Sequence, residues 1–241
     1  MRSPVIFALL LAVVPGLAHA GFDEEKSQCL AGDEVPAVVI NSCTQILETG
    51  DLDDTDLAVA YTNRGWAFAQ SGLVEQGTED FGKAIRHKPN FAKPYQLRGA
   101  YRLVNGEFKK AIQDLDQAIR LDPRDADSFV NRAKANYASE NYLLVVGDLD
   151  KALELDPNNA DALLNRGMAH YVTDNSDKAI ADFSSLIEID PDHKDAYAFR
   201  GIVYEFERKL NLAKRDFQKA HDLGLRSPLI QDYVQKYDLR K

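Results

Sequence analysis

Two rows of charged side chains recur through this sequence at intervals of 34 residues. The basic row is Arg64, Arg98, Arg132, Arg166 and Arg200, and the acidic row is Asp80, Asp114, Asp148, Asp182 and Asp216. A ladder of arginines could bind an anionic ligand, because guanidinium groups form bidentate hydrogen bonds with carboxylates and phosphates. Each Arg, however, precedes an Asp by sixteen residues, which places the two at about the same height in an antiparallel helical hairpin. We therefore predict structural ion pairs that fix the register of the helices.

A third row is mixed in chemistry. Its members are Phe68, Arg102, Asn136, His170 and Tyr204. Beside the three middle members stand Tyr101, Tyr137 and Tyr171, which favours an aromatic side chain shifted by one position to fill the same gap. A polar track inside the array is the alternative. Under the first interpretation, His170 is a partly buried side chain with satisfied hydrogen bonds and not a base or a metal ligand.

No set of residues combines a nucleophile, a base and an orienting group. His87, His193 and His221 fall at helix ends, where an imidazolium suits the helix dipole. The sequence has no HExxH motif and no phosphate-binding glycine loop. The acidic stretch 49–56 lacks the glycine and the final glutamate of an EF-hand loop, so we interpret it as a loop that caps the next helix. We expect no enzyme activity, no cofactor and no metal, and the net charge of -9 argues against nucleic acid as a partner.

The rows are positioned by helices whose packing residues keep the same period. Small residues stand at Gly65, Gly99, Ala133, Gly167 and Gly201, and large apolar residues at Phe81, Leu115, Leu149, Phe183 and Phe217. Proline, which ends helices, stands at Pro89, Pro123, Pro157 and Pro191. The pattern predicts five helical hairpins, at 58–91, 92–125, 126–159, 160–193 and 194–227.

A 34-residue period with a small residue in the first helix, an aromatic residue or Leu in the second and proline at the end resembles the tetratricopeptide repeat. The resemblance covers residues 58–227. It implies an all-α fold, a right-handed superhelical solenoid in which each hairpin packs on the next. The Lys and Asn clamp with which some members of this family bind a terminal carboxylate is absent, because Thr62, Val130 and Leu164 stand where lysine would help.

In this family the first helix of each hairpin lines a groove, and the resemblance implies a protein or peptide partner there. The residues that we expect to bind it are Asn63, Trp66, Leu97, Asn131, Tyr137, Asn165, Met168, Tyr171, Phe199 and Phe206. Asparagine could bond the backbone of an extended peptide, and the aromatic side chains could anchor it. Two alternatives remain open: superhelical curvature or the chain's own termini cover part of this face, or the protein is a homo-oligomer that uses it for assembly. An enzyme with Asp or His residues at the groove is a third and less favoured hypothesis.

The first twenty residues have the pattern of a signal peptide. Arg2 precedes an apolar run at 5–14, and Ala18, His19 and Ala20 offer small residues for cleavage before Gly21. A run of ten residues is shorter than the roughly 20 needed to span a bilayer. We therefore predict export, to a periplasm or outside the cell, with no membrane span after cleavage.

Export affects the interpretation of the two cysteines. In an oxidising compartment Cys29 and Cys43 can form a disulfide, which would tie the segment 21–57 to a helix at 36–47 that looks like half of a degenerate repeat; two free buried thiols are the alternative. At the other end, Pro228 begins a helix over 228–241 with an apolar stripe. We predict that it caps the array.

Overall fold

The computed structural model describes residues 15–49 and 51–237, which form thirteen helices and no strand. The helices are α1 (Pro15–Ala31), α2 (Pro36–Thr49), α3 (Asp54–Gln70), α4 (Val74–His87), α5 (Ala92–Val104), α6 (Phe108–Leu121), α7 (Ala126–Ala138), α8 (Tyr142–Leu155), α9 (Ala160–Val172), α10 (Ser176–Ile189), α11 (Lys194–Phe206), α12 (Leu210–Asp222) and α13 (Pro228–Lys236). The prediction of an all-helical repeat fold is confirmed. The first fourteen residues of the predicted signal peptide lie outside the described part.

The joints between hairpins follow from their sequence. After Leu155, Pro157 cannot continue the helical hydrogen bonds of α8. Asn159 then caps α9, because its side-chain oxygen accepts a hydrogen bond from the backbone nitrogen of Ala162 at 2.9 Å. Asp53 caps α3 in the same way, because its side chain accepts hydrogen bonds from the backbone nitrogens of Thr55 and Asp56 at 2.8 Å. The acidic stretch 49–56 thus contains a helix cap.

Within a hairpin the helices approach closely where a glycine faces a large side chain. A Cβ added to Gly167 would lie 2.6 Å from the ring of Phe183, and one added to Gly201 would lie 2.8 Å from the ring of Phe217. Gly99 faces Leu115 in the same way, at 2.8 Å. The predicted contact between the small row and the large row is therefore present in these hairpins.

Packing divides the chain into two units, Met1–Pro94 and Tyr95–Lys241. The first contains α1 to α4, and its core includes Val39, Ile46, Ala60 and Ala67. Helices α3 and α4 of this unit approach closely, because a Cβ on Gly77 would lie 2.5 Å from the backbone oxygen of Gly65.

The segment 21–57, for which the sequence predicted one helix at 36–47, contains most of a second helix. Residues 15–31 form α1, which pairs with α2, and the sulfur atoms of Cys29 and Cys43 lie 2.09 Å apart, at bonding distance. Lys26 of α1 also pairs with Asp56 at 2.7 Å. The first unit therefore consists of two hairpins.

The second unit ends in α13, which packs on α12. The rings of Tyr233 and Phe217 stack with centroids 3.9 Å apart, and Ile230 is buried. Tyr237 and Lys236 both bond the carboxylate of Glu205. Burial alone would raise the pKa of Glu205, but these hydrogen bonds outweigh it and lower that pKa. The side chains of Leu229 and Val234 lie outside what the structure describes, as do residues 238–241.

Candidate functional site

Each arginine of the basic row binds the aspartate sixteen residues later, through two parallel hydrogen bonds. The distances from Arg Nε to Asp Oδ2 are 2.7 Å for Arg64–Asp80, 2.8 Å for Arg98–Asp114, 3.0 Å for Arg132–Asp148, 3.0 Å for Arg166–Asp182 and 2.7 Å for Arg200–Asp216. In every pair the aspartate is buried. A buried carboxylate needs such a partner, because an unpaired charge inside a protein is costly.

Four of these arginines also bind the helix of the preceding hairpin, through Nη1. The acceptors are Thr44 for Arg64 (3.2 Å), Asp116 for Arg132 (2.7 Å), Asp150 for Arg166 (2.7 Å) and Ser184 for Arg200 (3.0 Å). The hydrogen bonds that Arg166 donates to Asp182, together with the one that it donates to Asp150, raise the pKa of Arg166 despite its burial. Guanidinium groups occupied on both edges do not form an open site for an anionic ligand.

The mixed row covers these ion pairs. The ring of Phe68 lies under the guanidinium of Arg64 at 5.6 Å, and the ring of Tyr204 lies 5.8 Å from that of Arg200. Arg102 instead donates a hydrogen bond to Asp114 at 2.6 Å. In this row, therefore, aromatic members stack on the cation and a polar member binds the anion.

His170 has the same position in its hairpin. It is buried, and its Nε2 lies 4.0 Å from Oδ2 of Asp182. Burial lowers the pKa of His170, and the nearby carboxylate offsets only part of that effect. The side chain is therefore neutral at pH 7 and packs beside an ion pair.

In the hairpin of α3 and α4, the predicted residue Asn63 is already bonded within the chain. Asn63 Nδ2 donates hydrogen bonds to the backbone oxygens of Cys29 and Leu30, at 2.9 and 3.2 Å. Asn63 thus bonds the backbone of α1 in its own chain. In the sequence, the indication that a helix ends here is Gly32, since glycine often follows the last residue of a helix. In the structure its φ is +68°, and it lies against Asn63.

Other predicted residues differ in how much surface they offer. Trp66 is 40% exposed on α3, whereas Leu97 on α5 is only 7% exposed. Leu97 is part of a buried stretch with Gln96 and Gly99, so it offers no contact area. Asn165 is partly buried and donates to the backbone oxygen of Asp161 in its own helix, at 2.7 Å. Asn131 is partly buried on α7.

The remaining predicted residues lie around one cavity of the second unit. This apolar cavity has a volume of about 170 Å³ and is lined by Tyr137, Met168, Tyr171, Val172, Phe183, Phe199, Ile202 and Val203. Phe183 and Phe199 stack with centroids 5.9 Å apart, and Phe206 meets the edge of Tyr171 at 5.9 Å. Four predicted binding residues, Tyr137, Met168, Tyr171 and Phe199, therefore share a cavity, and Phe206 adjoins it. Phe183 and Val203 were missed as lining residues because they belong to rows typical of a core.

Two repeat models match the second unit. One, described as TPR repeat, matches residues 104–139, and the other, described as tetratricopeptide repeat, matches residues 149–181. The chain carries tetratricopeptide repeats.

Several solved structures are similar to the chain in fold. YrrB, described as a TPR protein with an unusual peptide-binding site, is 23% identical with a TM-score of 0.67, over 80% of this chain and 97% of its own. MamA from Desulfovibrio magneticus RS-1 is 20% identical with a TM-score of 0.65, over 70% and 95% of the two chains. Pseudomonas aeruginosa pilF is 18% identical with a TM-score of 0.69, over 78% and 87%. No curated protein matches the sequence.

The histidines of these tetratricopeptide hairpins have structural contacts. His193 caps α11 by accepting from the backbone nitrogen of Ala196 at 3.2 Å. His87 stacks on the ring of Tyr61 at 5.7 Å, with its Nδ1 3.1 Å from Asp54. Among residues 15–49 and 51–237, no group of His, Cys, Asp and Glu side chains is placed to hold a metal ion. The same ranges contain no helix with the length and apolar character that crossing a membrane requires.

Proposed function

We propose that the chain is an exported scaffold that binds a protein partner through the apolar cavity of the second unit. The observation that supports this is the cavity itself. Its lining is aromatic and aliphatic, and Val172 on its rim and Phe206 beside it are 43% and 58% exposed. Exposed apolar side chains beside an apolar cavity are typical of a binding site in a soluble protein.

The size of the cavity limits what it can hold. Apolar cavities of about 150 Å³ are known to bind a molecule as large as benzene. A volume of about 170 Å³ therefore suits one aromatic or branched aliphatic side chain of a partner. Tyr137 and Tyr171 add hydroxyl groups that could bond the backbone of the segment carrying that side chain.

The proposed location depends on the N-terminal sequence and on the cysteines. The apolar run at 5–14 and the small residues before Gly21 favour cleavage and export. A cysteine pair at bonding distance in α1 and α2 suits an oxidising compartment. The mass of the protein recovered outside the cytoplasm tests this, because we expect a chain that begins at Gly21. A chain that keeps residues 1–20, or that stays in the cytoplasm, would contradict export.

Affinity capture tests the binding site. The full chain and three variants are used to capture proteins from an extract of the source cells, and captured proteins are quantified by mass spectrometry. Tyr171→Ala and Phe206→Ser should reduce capture of the same partner by roughly tenfold or more, because truncated anchors at the centre of an interface cost at least about 2 kcal/mol.

A matched control comes from the same unit. Leu143 on α8 is 90% exposed and is not part of the cavity, so Leu143→Ser removes a similar apolar side chain elsewhere. It should leave capture unchanged. If Phe206→Ser and Leu143→Ser behave alike, the cavity is not the binding site. Selection from a random peptide library is a second test, and selected sequences without a shared aromatic or aliphatic residue would contradict the proposal.

A further inference from the structure

The net charge of the chain is concentrated near its N-terminus. Residues 21–57 contain ten acidic side chains and one basic side chain, a net charge of -9. Residues 194–241, which include the last hairpin and the cap, contain seven acidic and eleven basic side chains, a net charge of +4. A chain that is acidic overall thus has ends of opposite sign.

The basic charge of the last hairpin surrounds a large open cavity. We call it the basic groove: it has a volume of about 790 Å³, its floor includes Tyr197 and Arg200 of α11, and Lys214, Arg215 and Lys219 of α12 border it. All three of these α12 side chains are exposed. The groove shares no lining residue with the apolar cavity.

The two carboxylates that line the basic groove, Asp216 and Asp222, already accept hydrogen bonds within the chain. Asp216 accepts two hydrogen bonds from Arg200, and Asp222 accepts one from Gln218 at 2.8 Å. Lys219 lies 3.8 Å from Asp192. Lys214 and Arg215 have no carboxylate within ion-pair distance in the described part of the chain. The groove therefore keeps uncompensated positive charge.

The opposite charge lies on the hairpin of α1 and α2, which we call the acidic hairpin. Asp23 and Glu24 are exposed on α1, and Asp33 and Glu34 are exposed in the loop before α2. The one basic residue of this region, Lys26, is already paired with Asp56. Within residues 21–57, no unpaired basic side chain is therefore left for the exposed carboxylates of the acidic hairpin.

We propose that the acidic hairpin of one copy of this chain docks in the basic groove of a second copy. Complementary charge steers two surfaces together and selects between partners. The two surfaces lie in different hairpins, so the contact is heterologous, and a pair joined by one such contact keeps one unused surface of each kind. Contacts of this type join copies head to tail, in rings or open chains.

Sedimentation velocity of the full chain tests the proposal. Copies should associate at about 0.02 M salt and separate at about 0.5 M, because the range of electrostatic interactions falls from tens of ångströms to a few. A chain that stays monomeric at low salt would overturn the proposal.

Charge reversal identifies the surfaces. A groove variant carries Lys214→Glu, Arg215→Glu and Lys219→Glu, and a hairpin variant carries Glu24→Lys, Asp33→Lys and Glu34→Lys. Each alone should weaken association by roughly tenfold or more, since like charges then face each other. An equimolar mixture of the two variants should restore association, because each then offers a surface complementary to the other.

A control separates this contact from a general effect of net charge. Lys109, Lys110 and Lys178 lie on α6 and α10, are exposed and do not line the basic groove. Changing all three to Glu alters net charge as much as the groove variant does, and it should leave association as in the wild type. Equal loss in the two variants, or a mixture that does not associate, would overturn the proposal. So would association that neither reversal weakens, which would locate the contact on another surface.

Discussion

Replacing Gly77 by Ala should destabilise the first unit, although alanine is the better residue for a helix. An added Cβ would lie 2.5 Å from the backbone oxygen of Gly65 and 3.3 Å from the Cβ of Ala69. Favourable contacts between heavy atoms lie near 3.5 Å, so α3 and α4 would have to separate by about 1 Å. Overpacking costs about 1–3 kcal/mol, and the upper part of that range, about 2–3 kcal/mol, applies here because a backbone atom cannot move aside as a flexible side chain can. Helix propensity returns about 1 kcal/mol. We expect a net loss of about 1–2 kcal/mol.

Gly147 provides the matched control, because it lies inside α8 and an added Cβ would meet nothing within 4 Å. Gly147→Ala should therefore stabilise the second unit by about 1 kcal/mol. Urea unfolding followed by circular dichroism measures both effects, and fluorescence of Trp66, the one tryptophan of the chain, reports on the first unit. Gly77→Ala should lower the midpoint of the Trp66 transition, and Gly147→Ala should leave it in place. A Gly77→Ala protein as stable as the wild type would refute the close approach of α3 and α4.

Three further predictions concern contacts described above. Replacing Cys29 and Cys43 by Ser should lower the free energy of unfolding of the first unit by about 3 kcal/mol, because the disulfide constrains the unfolded chain. Trp66 fluorescence in urea measures the change. An unchanged urea midpoint would contradict such a constraint. Asp182→Asn should lower the free energy of unfolding by about 2 kcal/mol, because it removes a buried charged acceptor of Arg166. Asp150→Asn removes the exposed acceptor of the same Arg166 and should cost about 0.5 kcal/mol. Equal shifts of the urea midpoint in the two variants would contradict this ranking. Burial lowers the pKa of His170 in the folded protein, so as pH falls the unfolded chain binds a proton there first, and the contribution of His170 to stability is complete above the ordinary pKa of about 6.5 and is lost below it. His170→Asn should therefore lose less stability than the wild type between about pH 7 and 5.5. Equal losses in the two proteins would count against a buried neutral imidazole.

The sequence predicted the five hairpins because several signals agreed at each joint. Around Pro157, for example, a helix breaker is followed by the capping residue Asn159, while Gly167 and Phe183 keep the spacing that a close helix pair requires. These signals are local or periodic, so they can be recognised without coordinates. The Arg166–Asp182 pair follows from the same geometry, since residues at equal height in a hairpin meet.

Helix α1 was not predicted because its support is tertiary. It carries few apolar residues at helical spacing, and Cys29, Asn63 and Asp56 hold it in place through contacts with α2 and α3. Such contacts join residues more than ten positions apart, and a periodic pattern within α1 does not report them. Because α1 was not predicted, the side chain of Asn63 had no partner within the chain, and the sequence indicated an external one.

The candidate site was predicted in part. Helical spacing indicated the face that holds Tyr137, Met168 and Tyr171, but it could not show that Leu97 on the same face is buried. The basic groove depends on α11 and α12 together, because Arg200 and Lys219 reach one cavity from different helices. In sequence, the α12 lysines are indistinguishable from an ordinary solvated face.

The doubly bonded arginines give the second unit a way to resist tension. Arg132, Arg166 and Arg200 each connect two hairpins through short charged or polar bonds, at 2.7, 2.7 and 3.0 Å to the preceding hairpin. When the ends of this unit are pulled apart, each link must break together with the apolar contact beside it. Because these links join successive hairpins in series, each carries the same force, and the hairpins should separate one after another at similar forces.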